Sequence, residues 1–280
     1  MRALAFAKRN LKEMLKSPIS YIFALGFPVL MLILFAVINR FIQDSFISQY
    51  ENVGGDALDS LLSTRTTTFE MRNNAPAMAF FGLTFIMLNV ALLVSKDKSS
   101  AFLLRLFTSP MKARDFIIGY ALPGLALCFA QQFVCYGVGE IVAIVEGENF
   151  GGIPNSFNFG YAMLAVLSQI PAMVLFVSLG ILFGTVLSDK SAPPCCSVVI
   201  NIAGIFGGCY FPLAMLEGLA LFAKFLPFYP QVLLSQAILS EAHLGFDNFG
   251  LYLIIACAYA LVVSALAILL FERKMRSDNK

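Results

Sequence analysis

Hydrophobic and polar positions divide this chain into a short amphipathic start and a series of long apolar runs joined by polar or basic connections. Residues 1–17 follow a helical period. At about 100° per residue, Leu4, Ala7, Leu11, Met14 and Leu15 fall on one side, and Arg2, Lys8, Arg9, Lys12 and Lys16 on the other. That division predicts a helix lying in the plane of the membrane interface, apolar face toward the acyl chains and cations toward anionic headgroups. Ser17-Pro18 then breaks it.

The apolar runs predict membrane spans at 19–39, 76–95, 116–145, 160–187, 193–210 and 249–271. A span needs about 20 mostly apolar residues, because each residue of a helix rises about 1.5 Å across a core of about 30 Å. Between them lie a polar loop at 40–74, a basic loop at 96–114, a loop at 146–158 and a short turn at 188–192. Residues 211–247 are apolar but interrupted by Pro212, Gly218, Pro227 and Pro230, and carry Glu217, Lys224, Glu241, His243 and Asp247. Helix breakers at membrane depth are tolerated where protein or a water-filled cavity covers the backbone. The segment therefore reads as an outer re-entrant hairpin. The expected fold is an all-α integral membrane protein with six transmembrane helices, forming one domain over 1–280.

Composition agrees. Of 280 residues, 59% are apolar and 13% charged, with a mean hydropathy of +0.81; soluble domains run nearer 45–50% and about 25%. The run at 19–38 is too long for the apolar region of a signal peptide, and no small-residue cleavage site follows it. Charge distribution sets orientation. The segments 1–18, 96–114, 188–192 and 272–280 hold fifteen of the nineteen Lys and Arg. The opposite side has Arg40, Arg65, Arg72 and Lys224 against ten acids. The positive-inside rule puts both termini in the cytoplasm, hence in a cell membrane. Nucleic acid is an unexpected partner, since no basic run is interleaved with aromatics.

Candidate chemistry is sparse. The chain has no GxxxxGK[ST] phosphate loop, so any ATP used in transport must be hydrolysed by another chain. The six cysteines, 128, 135, 195, 196, 209 and 257, lie in or at the ends of apolar runs without zinc-ligand spacing, and read as small buried residues. His243, the sole histidine, sits beside Glu241 in the broken outer segment and reads as structural. No metal or catalytic set is expected. Within the spans, Gln132, Tyr136 and Glu140 recur at spacing four and share one face. An ionisable group inside a span is a functional candidate, although hydrogen-bonded packing explains such a face equally simply. Asn89 and Asn201 are buried-amide candidates of the same sort. Gly180/Gly184 and Gly204/Gly208 form GxxxG pairs, read as close packing within one subunit. In the basic loop, Phe102, Leu103, Leu106 and Phe107 can share a face of a short helix with Arg105 opposite. Such a helix either lies on the membrane or docks on a cytoplasmic motor.

The run KDKSSAFLLRLFTSPMKARDFIIGYALPGL resembles the permeases of the type-2 ATP-binding-cassette (ABC) exporter family. In that family a charged patch closes the second span, followed by a Leu-Leu and Thr-Pro segment, a basic residue and the third span; where it often has Glu and Gly before the Leu pair, this chain has Ser100 and Ala101. LAFAKRNLKEMLKSPISYIFALGFPVLMLILF is similar to the family's connecting helix and first span, and GGCYFPLAMLEGLALFAKFLPFYPQVLLSQAIL to its fifth-span exit. The resemblance implies a connecting helix at 1–17, a coupling helix at 98–108 and an outer re-entrant segment at 211–247. It gives ATPase-coupling roles to Lys98, Ser99, Phe102, Leu103, Arg105 and Leu106, and a substrate pathway past Phe85, Asn89, Asn201 and Phe206. It further implies a second permease copy, identical or paralogous, and two copies of a cytoplasmic ABC ATPase holding ATP and Mg. The work would be export of a hydrophobic or amphipathic drug, peptide (including bacteriocins) or lipid. Two rivals stand beside it. A secondary transporter would need coupling-ion ligands, and only Glu140 fits. A lipid-modifying membrane enzyme would need a nucleophile and base, which the lone His243 does not supply.

Overall fold

A computed structural model describes residues 2–16, 18, 22–50, 71–100, 113–149, 159–210, 217–239 and 249–278. Every regular element among them is helical: α1 (Arg2–Lys16), a π-helical turn (Ile22–Gly26), α2 (Phe27–Tyr50), α3 (Met71–Ser99), α4 (Ala113–Asn149), α5 (Phe159–Ser168), α6 (Ile170–Val186), α7 (Ala192–Phe206), α8 (Glu217–Ala223), α9 (Tyr229–Leu239) and α10 (Phe249–Asp278). Among the described residues four stretches are long and apolar enough to cross a membrane: Asn73–Ser99, Arg114–Val145, Phe159–Val186 and Phe249–Lys274. Two shorter apolar helices, Ile22–Ile38 and Ala192–Phe206, stand at the first and fifth expected spans.

Proline explains most of the irregularities. Pro28 has no N–H to give to the carbonyl of Ala24, and its ring crowds that carbonyl. The turn just before it is widened to the π form. Pro171 likewise interrupts the fourth apolar run, which divides at Gln169 into α5 and α6. Pro193-Pro194 open α7, where missing N–H groups have no helical partner anyway. The expected outer segment contains two short helices, α8 and α9, separated by Lys224–Phe228; its remaining residues lie outside the described set. α2 runs on to Tyr50, well into the stretch expected to be a loop. Hydropathy reports the lipid boundary, and a helix can continue past that boundary into water.

α3 is the core. Of its most apolar stretch 78% is buried, against 17% for α10, the least covered of the four. Phe80, Phe81, Leu83, Ile86, Met87, Val90 and Val94 are fully covered. α6, α4, α7, α2 and α9 all pack on α3, and α10 packs on α6. The α3–α6 crossing is close because of Gly180 and Gly184. A Cβ added at Gly180 would lie 2.6 Å from Met87 O, and one at Gly184 2.7 Å from Ala91 O. In lipid no hydrophobic force drives helices together, so backbone approach of this kind supplies the association. The fourth-span GxxxG is thus an intrasubunit contact, as its spacing suggested.

Candidate functional site

Two polar assemblies lie along α4, one near its start and one at its middle. The first ties α1 to the ends of α3 and α4. Phe6 of α1 sits edge-on to Phe116 and Tyr120, ring centroids 5.6 and 5.0 Å away. Gly119 makes room for it: a Cβ there would come 2.2 Å from the Phe6 ring. Asn10, fully buried, donates through Nδ2 to Gly119 O at 3.0 Å. Arg9 then forms a two-pronged pair with Asp97, Nη1 to Oδ2 at 2.6 Å and Nη2 to Oδ1 at 2.9 Å. Tyr120 Oη donates to Asp97 Oδ2 at 2.9 Å. Bidentate charge-assisted bonds are the strong class of hydrogen bond, and the bonds from Asp97 hold the Arg9 guanidinium above its ordinary pKa.

This corrects one expectation. Arg9 does not stand among outward cations; it turns inward. α1 has a protein-facing side, Phe6, Ala7, Asn10 and Met14, between its exposed leucines (Leu4, Leu15) and its exposed lysines (Lys8, Lys12, Lys16). Neighbouring bonds extend the assembly to α6. Lys98 Nζ donates to Thr185 O at 2.8 Å and Leu187 O at 2.7 Å, satisfying carbonyls at the C-terminus of that helix. Ser95 Oγ donates to Asp189 Oδ1 at 3.3 Å. Ser99 is exposed and bonds only locally among these contacts, to Lys96 O. Phe102, Leu103, Arg105 and Leu106, and most of the 98–108 helix they were assigned to, lie outside the described residues.

The second assembly is uncharged. Gln131 and Gln132 of α4 both donate to Ala79 O, at 3.1 and 3.0 Å. Gln132 Nε2 also reaches Gln169 Oε1 at 2.9 Å, and Gln169 Nε2 donates to Pro76 O at 3.1 Å and to Tyr136 Oη at 3.3 Å. Ser168 and Ser235 hydroxyls meet at 2.9 Å, bringing in α9. Gly82 is again a spacer, since a Cβ there would strike the Gln131 amide. Gln132 and Tyr136 are brought together as their spacing predicted. Glu140, one turn on, is half-buried and lines a separate groove.

The four pathway candidates sit on α3 and α7, which pack together. Phe85 is buried under Phe23 and Phe27, centroids 5.9 and 5.2 Å away. Asn89 is half-buried. Asn201 is exposed and donates to Ser197 O of its own helix at 2.8 Å. Phe206 packs edge-on against Phe222 of α8 at 5.8 Å. Sequence reasoning missed Asn10, Asp97, Gly119, Tyr120, Gln131 and Gln169. For Asp97 the available signal was a lone acid between two lysines at a span end.

The sequence model of a family described as "ABC-2 family transporter protein" matches residues 72–269, more than two thirds of the chain. The chain belongs to that family. It is a permease subunit of the ABC-2 type, a multi-pass membrane protein and a transport component; the family works with an ABC ATPase subunit and its members generally lack an ATP-binding site of their own. No individually curated protein matches the permease. The first polar assembly gains meaning from this membership, because it brackets residues 101–112, the segment joining α3 to α4.

Proposed function

We propose that this permease is the membrane half of an ATP-driven exporter, moving a hydrophobic or amphipathic substrate (drug, peptide or lipid) out of the cytoplasm across the cell membrane. Two copies, identical or paralogous, each contribute six spans around a central path. Two ABC ATPase subunits bind ATP and Mg below them. Both termini are cytoplasmic, following the Lys and Arg distribution. Residues 98–108 form the helix that docks on the ATPase, and 211–247 the outer re-entrant hairpin.

The supporting observation is the assembly around Asp97. Both ends of the proposed docking segment are held: at Asp97 and Lys98 on one side, at Gly119 and Tyr120 on the other, with α1 bonded to each. A push on 98–108 is thereby delivered to α1, α3, α4 and α6 together. The permease makes and breaks no covalent bond. It has two arrangements whose balance the ATPase shifts by differential interaction. Phe85, Asn89, Asn201 and Phe206 are pathway residues in this reading, and exposure of Phe85 requires the Phe23–Phe27 stretch to move off it.

The test is ATP hydrolysis in nanodiscs by the permease with a candidate ABC ATPase subunit from the same genome. Leu103→Asp should abolish complex formation, or leave hydrolysis no longer stimulated by the permease. A stable, fully stimulated complex with Leu103→Asp would remove 98–108 as the docking helix. Absence of any complex with the wild type would remove the exporter reading.

A further inference from the structure

One buried side chain has no partner within the protein. Gln231 of α9 is 1% exposed, and its Nε2 and Oε1 are both buried without a hydrogen bond. Exchanging the two ends of the amide changes nothing, because neither end is bonded. Gln131 and Gln132 differ: each has an unpartnered Oε1 but donates through Nε2 to Ala79 O. Among the described residues Gln231 is the one buried amide unpartnered at both ends. Leaving a buried polar group unbonded costs free energy, most of all where lipid surrounds the protein. Native structures satisfy nearly all such groups, with protein or with ordered water.

The surroundings of Gln231 say what serves it. Three residues before it, Phe228 packs on Phe80 of α3 and Phe176 of α6, centroids 6.3 and 6.2 Å away. One turn after it, Ser235 meets the Ser168 hydroxyl of α5 at 2.9 Å, and Ser235 Oγ lies 3.2 Å from Gln231 O. Residues three and four apart on a helix share a face. The Gln231 amide therefore belongs to the layer where α9 packs on α3 and α5. Side chains four apart stand about 5–6 Å from each other at Cβ, a gap that one water spans. The ligand must accept a bond from Nε2 and donate one to Oε1. A cation can meet the oxygen alone, and an apolar group neither atom. Water does both, and a buried water takes about two to four polar partners. The two amide atoms and the Ser235 hydroxyl supply three. We propose that Gln231 holds an internal water that bridges its amide to Ser235, and through Ser235 to Ser168 of α5. The joint between α9 and α5 is then hydrated, whereas the Gln132–Gln169 contact is direct. The site is independent of whether the permease exports.

The experiment is magic-angle-spinning NMR of the full chain in lipid bilayers, with glutamine side-chain amides labelled with nitrogen-15. It reads magnetisation transfer from water to each Nε2. Gln169, whose Nε2 and Oε1 both bond protein groups, is the dry reference. Gln231→Met, which keeps the length and removes the amide, assigns the Gln231 signal by deleting it. Wild type should show transfer to Gln231 well above that to Gln169, and equal transfer overturns the proposal. Thermal unfolding of the same variant gives a readout whose sign decides. If water serves the amide, Gln231→Met should lower the midpoint by about 2–4 °C, the shift for about one net hydrogen bond in a chain of this size. A raised midpoint means that the amide was buried without any partner, and overturns the water. Should Gln231→Met not fold, Gln231→Asn supplies the assignment and the transfer alone decides. A wild-type midpoint higher in sodium or potassium than in choline, with no such difference in Gln231→Met, makes this a cation site and overturns the proposal equally.

Discussion

The start and the middle of α4 solve the same problem with different chemistry. At the Tyr120 end, α1, α3 and α4 are joined by an ion pair, Arg9–Asp97, buttressed by a phenol and an amide. At its middle, α3, α4 and α5–α6 are joined by glutamines and a tyrosine without a formal charge. Asp97 is buried, yet Arg9 keeps 37% of its side chain exposed, so water helps to carry the pair. Gln131, Gln132 and Gln169 have no exposure at all. Charge is used where water remains within reach, and neutral amides where it does not, because the desolvation cost of an ion rises steeply with depth.

Removing the acid should break the contrast hardest. Asp97→Ala removes the two-pronged acceptor of Arg9 and the acceptor of the Tyr120 hydroxyl together. A fully buried broken pair costs about 3–5 kcal/mol; the exposure of Arg9 lowers the expectation to about 2–3 kcal/mol. The readout is thermal unfolding in nanodiscs, with protease sensitivity of residues 1–18 reporting release of α1. If Asp97→Ala unfolds like wild type and α1 stays protected, the Phe6 packing and the Asn10–Gly119 bond suffice to dock that helix.

How much of this was legible beforehand depends on range. The apolar runs specify helices locally, and the Gly180/Gly184 spacing announced a close crossing. Proline alone does not disclose the breaks: Pro28 and Pro171 stand at interruptions, whereas Pro76 and Pro123 lie inside the unbroken α3 and α4. The Arg9–Asp97 pair spans 88 positions, and no local pattern discloses which cation meets which acid. A two-faced reading of α1 could not supply the third, protein-facing side on which Arg9 and Asn10 lie. Gln169 was unreadable for a related reason: its partners, Pro76 O and Gln132, come from two other helices. The bonds from Lys98 to Thr185 O and Leu187 O, 87 and 89 positions away, are likewise beyond any local pattern.

A smaller effect is expected from the uncharged assembly. Gln169→Leu deletes the bonds to Pro76 O, Gln132 and Tyr136 in one change. Interhelical side-chain hydrogen bonds within membranes average about 0.6 kcal/mol, with a maximum near 1.7, so about 1–1.7 kcal/mol should be lost. Gln131→Leu should cost less, because Gln131 Oε1 is buried without a partner and its desolvation is already uncompensated. Thermal unfolding of the pair of variants ranks them. A loss for Gln169→Leu as large as that for Asp97→Ala would end the distinction between charged and neutral assemblies.

The smallest effect separates structure from coupling at Lys98. Its ammonium satisfies Thr185 O and Leu187 O at the end of α6, where a cation also meets the negative end of the helix dipole. Lys98→Met keeps the aliphatic stem and removes the charge. The cap and dipole contributions together predict a loss of about 0.5–1 kcal/mol. If the cap is the whole role, ATPase stimulation per folded complex should match wild type once unfolding is corrected for, while Leu103→Asp still uncouples. If Lys98→Met uncouples at unchanged stability, the ammonium leaves α6 during the cycle, and the bonds to Thr185 and Leu187 belong to one of the two arrangements only.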